Sequence, residues 1–271
     1  MNDHELSRLL ATQAGELLMG LRKVASSFGD DDSDSTLVAL GREVLAKEAD
    51  NGAHEFLNNQ LVTLRPLDSV LSEEGDHHGF RAGATRLWIV DPLDGSSHFA
   101  NGSQEFAVHI ALWDVNSNRQ GKLVAAAVDL PAAGKVLTTS DHVGAAVLGE
   151  KLETDRPIRV LVSRSRPPEE LTRIVEALKT NFPERDVEVI PMGSAGYKVA
   201  EIISGEADIY VNTGGFHEWD IAAPMAIAVH YGLVVCDRRG NELVFNKPET
   251  FVASAIVSRR EFVATLVDCL A

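Results

Sequence analysis

Cysteine is almost missing from this chain: only Cys236 and Cys269 occur among 271 residues. Two are too few for a disulfide framework, and no CxxC or Cys/His spacing offers a zinc site, so a reducing compartment fits best. Long apolar runs are also missing. No stretch reaches the length of a signal-peptide core or a membrane span, and Met1 to Glu5 is polar and charged, so the expectation is a cytoplasmic protein with no membrane partner. Positive charge is scarce. Twenty-five Lys and Arg against 40 Asp and Glu give a formal net charge of -15, which opposes attraction to nucleic acid or anionic lipid. An anionic substrate would need local cations or a metal. There is no Gly-rich Walker loop and no Ser-His-Asp elbow, which removes the obvious ATPase and nucleophilic-hydrolase readings, and no internal repeat or low-complexity tract.

What is present is an ordinary globular composition, 45% hydrophobic and 24% charged, in a chain long enough for a large core. Helical spacing of Leu9, Leu10, Ala14, Leu17, Leu18 and Leu21 predicts a helix over 5–26, and the period returns from Leu37 to Leu61. Between them Gly29 to Ser35 is acidic and turn-rich, a solvated loop. Its Asp30, Asp32 and Asp34 alternate like the start of an EF-hand, but the positions that need Gly and Glu hold Ser35 and Gly41. Apolar runs at 70–71, 87–90, 106–113, 123–128 and 135–139 predict strands of an antiparallel or mixed sheet. Strand and helix then alternate: strands at 158–162, 187–190 and 207–211, helices over 167–178, 197–204 and 219–231. A hairpin around Arg239-Gly240, a strand over 251–257 and a helix from Arg260 follow. Two lobes are expected, 1–154 and 155–271.

The most informative stretch runs Leu87-Trp88-Ile89-Val90 into Asp91-Pro92-Leu93-Asp94-Gly95-Ser96-Ser97. Four apolar residues suit a strand covered on both faces, and Pro92 and Gly95 suit a turn at its end. Asp91 and Asp94 can grip hard cations with the Leu93 carbonyl beside them, while Gly95 and Ser96 can offer amides to an anion. Alone, the stretch is equally well a surface turn. Other acidic ends weigh against that. Glu73 follows the run at 70–71, and Asp220 begins a helix after the turn-like 212–215. If these loops converge, they form an oxygen cage for two or more Mg²⁺ ions that could neutralise a phosphate and activate water.

The sequence resembles the lithium-sensitive, magnesium-dependent phosphatase superfamily of inositol monophosphatase, fructose-1,6-bisphosphatase and 3′(2′),5′-bisphosphate nucleotidase. The resemblance covers nearly the whole chain and rests on Trp88 to Ser96, on Glu218-Trp219-Asp220-Ile221-Ala222-Ala223-Pro224, and on Leu71-Ser72-Glu73-Glu74 ahead of them. It implies an α/β fold built as a layered αβαβα sandwich, with an α+β first lobe holding most metal ligands and an α/β second lobe holding Asp220 and the specificity loops. It also implies two or three Mg²⁺ ions held by Glu73, Asp91, the Leu93 carbonyl, Asp94 and Asp220, and a phosphate cradled by Gly95 and Ser96. Asp50, 23 residues before Glu73, matches the Asp that works with the hydroxyl after Asp-Gly, so Asp50, Ser96 and Glu73 are the catalytic candidates for a metal-activated water attacking phosphorus in line. The usual Thr after Asp-Gly is Ser96 here, and the usual Val-Thr-x-Ala-Asp pattern is replaced by Leu45-Ala46-Lys47-Glu48-Ala49-Asp50.

Within that superfamily the second lobe leans toward the bacterial CysQ-type nucleotidases. Ser163-Arg164-Ser165-Arg166 resembles their Ser-Arg-Ser-His run, with Arg166 in the His position, and Gly193-Ser194-Ala195-Gly196-Tyr197-Lys198 resembles their Ala-Gly-x-Lys segment. Ser163, Arg166, Gly193, Ser194 and Lys198, with Asp94, Gly95, Ser96 and Asp220, are the substrate-binding candidates. The alternative for the arginines is a solvated helix start. Inositol phosphatases place a Glu seven residues before the Trp-Asp aspartate, and Thr213 stands there instead. The implied activity is removal of the 3′-phosphate of 3′-phosphoadenosine 5′-phosphate, and of its sulfated form, in sulfate assimilation. Inositol phosphate or fructose bisphosphate hydrolysis, as main or secondary activity, and a non-catalytic metal-dependent nucleotide-binding protein are the alternatives. The family commonly forms a homodimer, but no interface patch is legible. Of nine histidines none makes a metal pair: His77-His78 suits a solvated turn, His217 could face substrate, and His54 and His109 read as packed or surface residues.

Overall fold

Apolar residues at helical spacing open the chain as two long helices, α1 (Asp3–Ser26) and α2 (Ser35–Leu64), and the β-rich runs after them build a mixed sheet. In this computed structural model, residues 1–26, 35–75, 83–115, 121–142 and 156–271 are described. The acidic segment 30–34, His77-His78 and the lobe boundary at 154/155 lie outside them.

The first sheet holds β1 (Ser69–Ser72), β2 (Arg86–Asp94), β3 (Ala107–Asp114), β4 (Lys122–Leu130) and β5 (Lys135–Thr138), in that spatial order. β1 runs parallel to β2 and the remaining pairs are antiparallel. The second sheet has the order β10-β12-β8-β6-β7, from β6 (Ile158–Ser163), β7 (Val187–Met192), β8 (Ile209–Asn212), β10 (Val234–Cys236) and β12 (Ala255–Ser258). β7, β6 and β8 are parallel to one another, with helices between them as a parallel sheet requires. A two-stranded ladder joins β9 (Phe216–His217) to β11 (Phe251–Val252).

Three apolar cores make five layers. Leu6, Leu10, Leu18, Leu57 and Leu61 of α1 and α2 pack on Trp88, Val90, Ile110 and Leu112 of the first sheet. The opposite face of that sheet, through Leu87, Ile89, Ala111 and Val128, meets α5 (Ala195–Ile203) and α6 (Glu218–His230), which also cover Leu161, Tyr210 and Val257 of the second sheet. Beyond it, α4 (Leu171–Asn181) and α7 (Arg260–Leu270) bury Ile174, Leu178, Phe262 and Leu266 against Val160, Val162, Ile209 and Ile256. The αβαβα sandwich is therefore present, and consecutive residues of β2 face different cores, which is why 87–90 reads as continuously apolar. α5 and α6 belong to the second half in sequence yet fill the space between both sheets, so the packing is continuous across the halves.

The structure corrects several expected boundaries. α4 starts at Leu171, not at 167, because Pro168 holds the preceding residue in extended backbone. The stretch 251–257 is split: Phe251–Val252 pairs with β9, whereas Ala255–Ser258 pairs with β8 and β10. At Asp237–Gly240 a turn forms, but no second strand follows it, and β10 pairs with β12 instead.

Candidate active site

β2 does not end at Val90. It continues to Asp94, and its register against β3 shifts between Asp91, opposite His109, and Asp94, opposite Ala107. In a regular strand residues three apart face opposite sides. The extra residue of this bulge brings Asp91 and Asp94 to one side, into one cleft with Leu93 between them. Pro92 sits in the bulge, where its missing N–H costs no ladder bond. The turn predicted after Val90 thus falls at Gly95, whose φ of 93° is left-handed and where a Cβ would come within 2.9 Å of the Glu105 carbonyl oxygen. Ser96 then opens a short helix, α3 (Ser96–Ala100), in place of a plain turn.

Glu73 enters from the turn after β1, where its N–H donates to the Val90 carbonyl, and Asp220 from the first turn of α6. Carboxylate oxygens of Glu73, Asp91 and Asp220 all lie within 4.8 Å of one another. The three aspartates share one arrangement. Asp91 Oδ1 accepts the Leu93 N–H at 3.0 Å, and Asp220 Oδ2 accepts the His217 N–H at 2.7 Å. Asp94 Oδ2 accepts Ser194 Oγ and the Ala195 N–H, both at 2.6 Å. In each, one oxygen is tied down by the fold.

No lysine or arginine pairs with these carboxylates among the described residues. Burial, and then the neighbouring charges of Asp50, Asp220 and Asp94, push Glu73 up to about 8. Burial with Glu73 and Asp94 raises Asp91 well above the carboxylate range, and burial takes Asp220 to about 6 against the pull of the His217 N–H. Largely buried, mutually repelling oxygen donors with no ion-paired lysine or arginine are the donor set a hard divalent ion satisfies.

Asp50 lies on α2, 8% exposed, with Oδ1 buried and unpartnered. Burial, then Glu74, raises it to about 7, and its charge reaches Glu73. Among the described residues no hydrogen bond joins it to Ser96. Glu74 is exposed, as a solvated side chain should be.

The opposite wall of the cleft comes from the ends of β6 and β7. Ser163, Arg164, Ser165, Arg166, Gly193, Ser194 and Lys198 line it, with Tyr210 and Asn212 of β8, in a volume of about 280 Å³. Ser163 Oγ accepts the Arg166 N–H at 3.3 Å and so shapes the loop. The two arginines differ. Arg164 donates to Glu105 Oε1 at 2.8 Å and to the Pro191 carbonyl, whereas the Arg166 guanidinium has no protein partner among the described residues and lies near enough to Asp220 to pull its carboxyl down. Lys198 borders the cleft but is 3% exposed, and its ammonium donates to the Gly193 and Ser194 carbonyls at 3.1 and 2.9 Å. It braces the loop that forms this wall of the cleft. Burial lowers it to about 8.

Glu105 was not singled out by sequence. Besides Arg164 it accepts the Gly193 N–H at 2.7 Å, latching the first sheet's loop to the β7–α5 loop; a lone acid in a loop carries no spacing signal. His217 does not line the cleft: it stacks on Trp219 with ring centres 4.6 Å apart and bonds Thr250. Thr213 donates to Glu170 Oε2 at 2.6 Å. A second hollow of about 380 Å³ lies between α1, β4 and α6, but Glu242 is the one carboxylate lining it, so the acidic cleft is the candidate metal site.

The model of the inositol monophosphatase family matches residues 4–270. The chain belongs to the inositol monophosphatase family. A 3′-phosphoadenosine 5′-phosphate phosphatase of Mycobacterium bovis is 36% identical over 84% of this chain and 82% of its own length. The 3′(2′),5′-bisphosphate nucleotidase CysQ of Salmonella typhimurium is 32% identical over 90% of this chain and 94% of its own. Among solved structures, CysQ from Bacteroides thetaiotaomicron aligns over 94% of this chain and 96% of its own with a TM-score of 0.71 and 25% identity. The family is metal-dependent, in keeping with the acidic cluster.

Proposed function

We propose that this protein is a Mg²⁺-dependent phosphomonoesterase that removes the 3′-phosphate of 3′-phosphoadenosine 5′-phosphate, and of its sulfated form, to leave a 5′-nucleotide. The observation that carries this reading is the convergence of Glu73, Asp91 and Asp220 within 4.8 Å, in the cleft that an unpartnered Arg166 also lines. The names of the relatives support the same substrate. Position 213, where the resemblance places a Glu in inositol phosphatases, holds Thr213, whose hydroxyl donates to Glu170.

In this reading Glu73, Asp91, the Leu93 carbonyl, Asp94 and Asp220 hold two or three Mg²⁺ ions. When bound, the ions neutralise the phosphate and make water a better nucleophile near neutral pH. The amides of Gly95 and Ser96 and the Ser96 hydroxyl hold phosphate oxygens. Asp50, held in the range where a carboxylate accepts protons near neutrality, takes the proton by way of Ser96. Arg166 receives the phosphate that is not cleaved, since a guanidinium fork matches its oxygens, and Ser163, Gly193 and Ser194 fix the loops around the sugar.

The net charge of -15 supports a small soluble ester, not nucleic acid, as the partner. Among the described residues no helix is long and apolar enough to cross a membrane, and two free cysteines fit a cytoplasmic role in sulfate assimilation. Lithium sensitivity and a homodimer complete the proposal.

The deciding experiment compares kcat/KM for 3′-phosphoadenosine 5′-phosphate, inositol 1-phosphate and fructose 1,6-bisphosphate at one Mg²⁺ concentration. The adenosine bisphosphate should lead. A preference for either of the others would overturn the ranking, and phosphate release from none of the three would favour a metal-dependent nucleotide-binding protein.

A further inference from the structure

His109 sits in the middle of β3 with no exposed surface, and neither ring nitrogen has a well-aligned hydrogen bond to a side chain among the described residues. A fully buried polar ring is costly unless hydrogen bonds or nearby charge compensate. Their neighbours are not apolar. Nε2 is 3.3 Å from Asp94 Oδ2, off the line that a hydrogen bond needs, and Nδ1 is 4.0 Å from Asp91 Oδ2. The backbone of Trp219 and Asp220 also hydrogen-bonds the ring. That backbone has an unusual need, because Pro224 stands inside α6 and brings no N–H to the Asp220 carbonyl four residues earlier.

The ring has been given room. A Cβ on Gly196 would come within 2.4 Å of His109 Nε2, so α5 can lie this close only with glycine there. The same first turn of α5 supplies the Ser194 and Ala195 donors to Asp94 Oδ2. His109 therefore fills the junction of β2, α5 and α6, the elements that carry Asp91, Asp94, the Ser194 loop and Asp220.

We infer that His109 is a positioning residue: its Nε2–H closes on Asp94 Oδ2 when the cleft holds a cation, so that the other Asp94 oxygen is aimed at the metal. The assignment rests on the reading of the cleft as a metal site. Hydrogen bonds behind a ligating carboxylate typically change metal affinity by about 10-fold to 100-fold when removed.

The test is Mn²⁺ affinity, measured by titration calorimetry and by electron paramagnetic resonance of free Mn²⁺, on the full chain and on His109→Gln and His109→Leu. Leucine fills the space without a donor, and the Gln amide nitrogen reaches about where Nε2 lies. His109→Leu should weaken Mn²⁺ binding by about tenfold or more, while His109→Gln restores it to within about threefold, with similar metal-free melting temperatures in both. Equal affinity in all three proteins, or a Gln variant as weak as the Leu variant, overturns the assignment. Should His109→Leu fail to fold, nitrogen-15 spectra of the histidine rings of the wild-type protein decide: Nε2 must carry the proton with Mg²⁺ bound, and a bare Nε2 overturns the inference. Wild-type protein that binds no Mn²⁺ sinks the metal-site reading itself, a different result from binding that ignores His109.

Discussion

Ser194 reaches across the cleft from the start of α5 and donates its hydroxyl to Asp94 Oδ2 at 2.6 Å. The same Oγ accepts the Tyr197 N–H at 3.1 Å, capping the helix. One side chain thus fixes a ligand on the first sheet and the first turn of a helix in the central layer. Ser194 does this from a positive φ of 45°, a conformation that costs a non-glycine residue of order 1–3 kcal/mol.

That geometry separates two substitutions at Ser194. Ser194→Ala removes both hydrogen bonds and keeps the backbone cost, so it should destabilise the protein by about 1–2 kcal/mol and raise the Mg²⁺ concentration needed for half-maximal activity. Ser194→Gly loses the same bonds but accepts the backbone freely, and should recover much of the stability and none of the Mg²⁺ dependence. Urea denaturation and Mg²⁺ titrations of activity check the pair. Equal stability of the two variants would show that the backbone strain is not stored there.

Asp94 itself offers a sharper case. In Asp94→Asn either the amide NH₂ faces the donors Ser194 Oγ–H and Ala195 N–H, or it turns and faces the cation. Each orientation opposes donor to donor or donor to metal. Phosphate release should fall by at least about 10²–10³-fold, the range seen when one preorganised electrostatic partner is lost, with the circular dichroism spectrum unchanged. A metal-dependent Asp94→Asn enzyme of near-normal rate would rule the assignment out.

The carboxylate cage also sets a pH dependence. Glu73, Asp50 and Asp220 are raised to about 8, 7 and 6, above the value of about 4 they have in an unfolded chain. Acids shifted this way favour the fold while protonated, so that stability present below about pH 4 is lost as pH climbs toward about 8. A divalent cation binds the ionised carboxylates and reverses the loss. The Mg²⁺-induced rise in melting temperature should therefore be larger at pH 8 than at pH 6. Asp129, also raised to about 7 by burial and Glu16, adds to the metal-free trend but does not line the cleft, so the Mg²⁺ increment is the quantity to compare. An increment as large at pH 6 as at pH 8 would remove the cage as its source.

Much of this architecture was legible in the residues because burial imposes periodicity. Val90 and Trp88 alternate with Ile89 and Leu87 between two cores, and α1 announces itself by its leucine stripe. Trp219-Asp220 and Glu73 were legible as acids at element ends. The bulge at Pro92-Leu93 was not, since the register shift depends on how Asp91 and Asp94 pair with His109 and Ala107 on the next strand. Glu105 and His109 were illegible for the same reason: Gly193 and Asp94, which give them meaning, meet them only through tertiary packing. The two carbonyls that the Lys198 ammonium meets were equally illegible, since they belong to a loop whose path is set by packing.

In the proposed function, substrate choice rests on the difference between the two arginines. Arg164 is held by Glu105 and the Pro191 carbonyl, so its guanidinium is part of the wall. Arg166 hangs from a loop shaped by Ser163, lines the cleft, and has no protein acceptor among the described residues. Arg166→Ala should therefore raise KM for 3′-phosphoadenosine 5′-phosphate by about tenfold to a hundredfold, the worth of one charge-assisted contact of about 1.5–3 kcal/mol. Hydrolysis of adenosine 3′-monophosphate, which lacks the second phosphate, should change by less than about threefold on that scale. Arg166→Lys keeps the charge but loses the fork and should fall between. Parallel losses on both nucleotides would move Arg166 from recognition of the uncleaved phosphate to the reacting one, and its nearness to Asp220 would then be the feature that explains it.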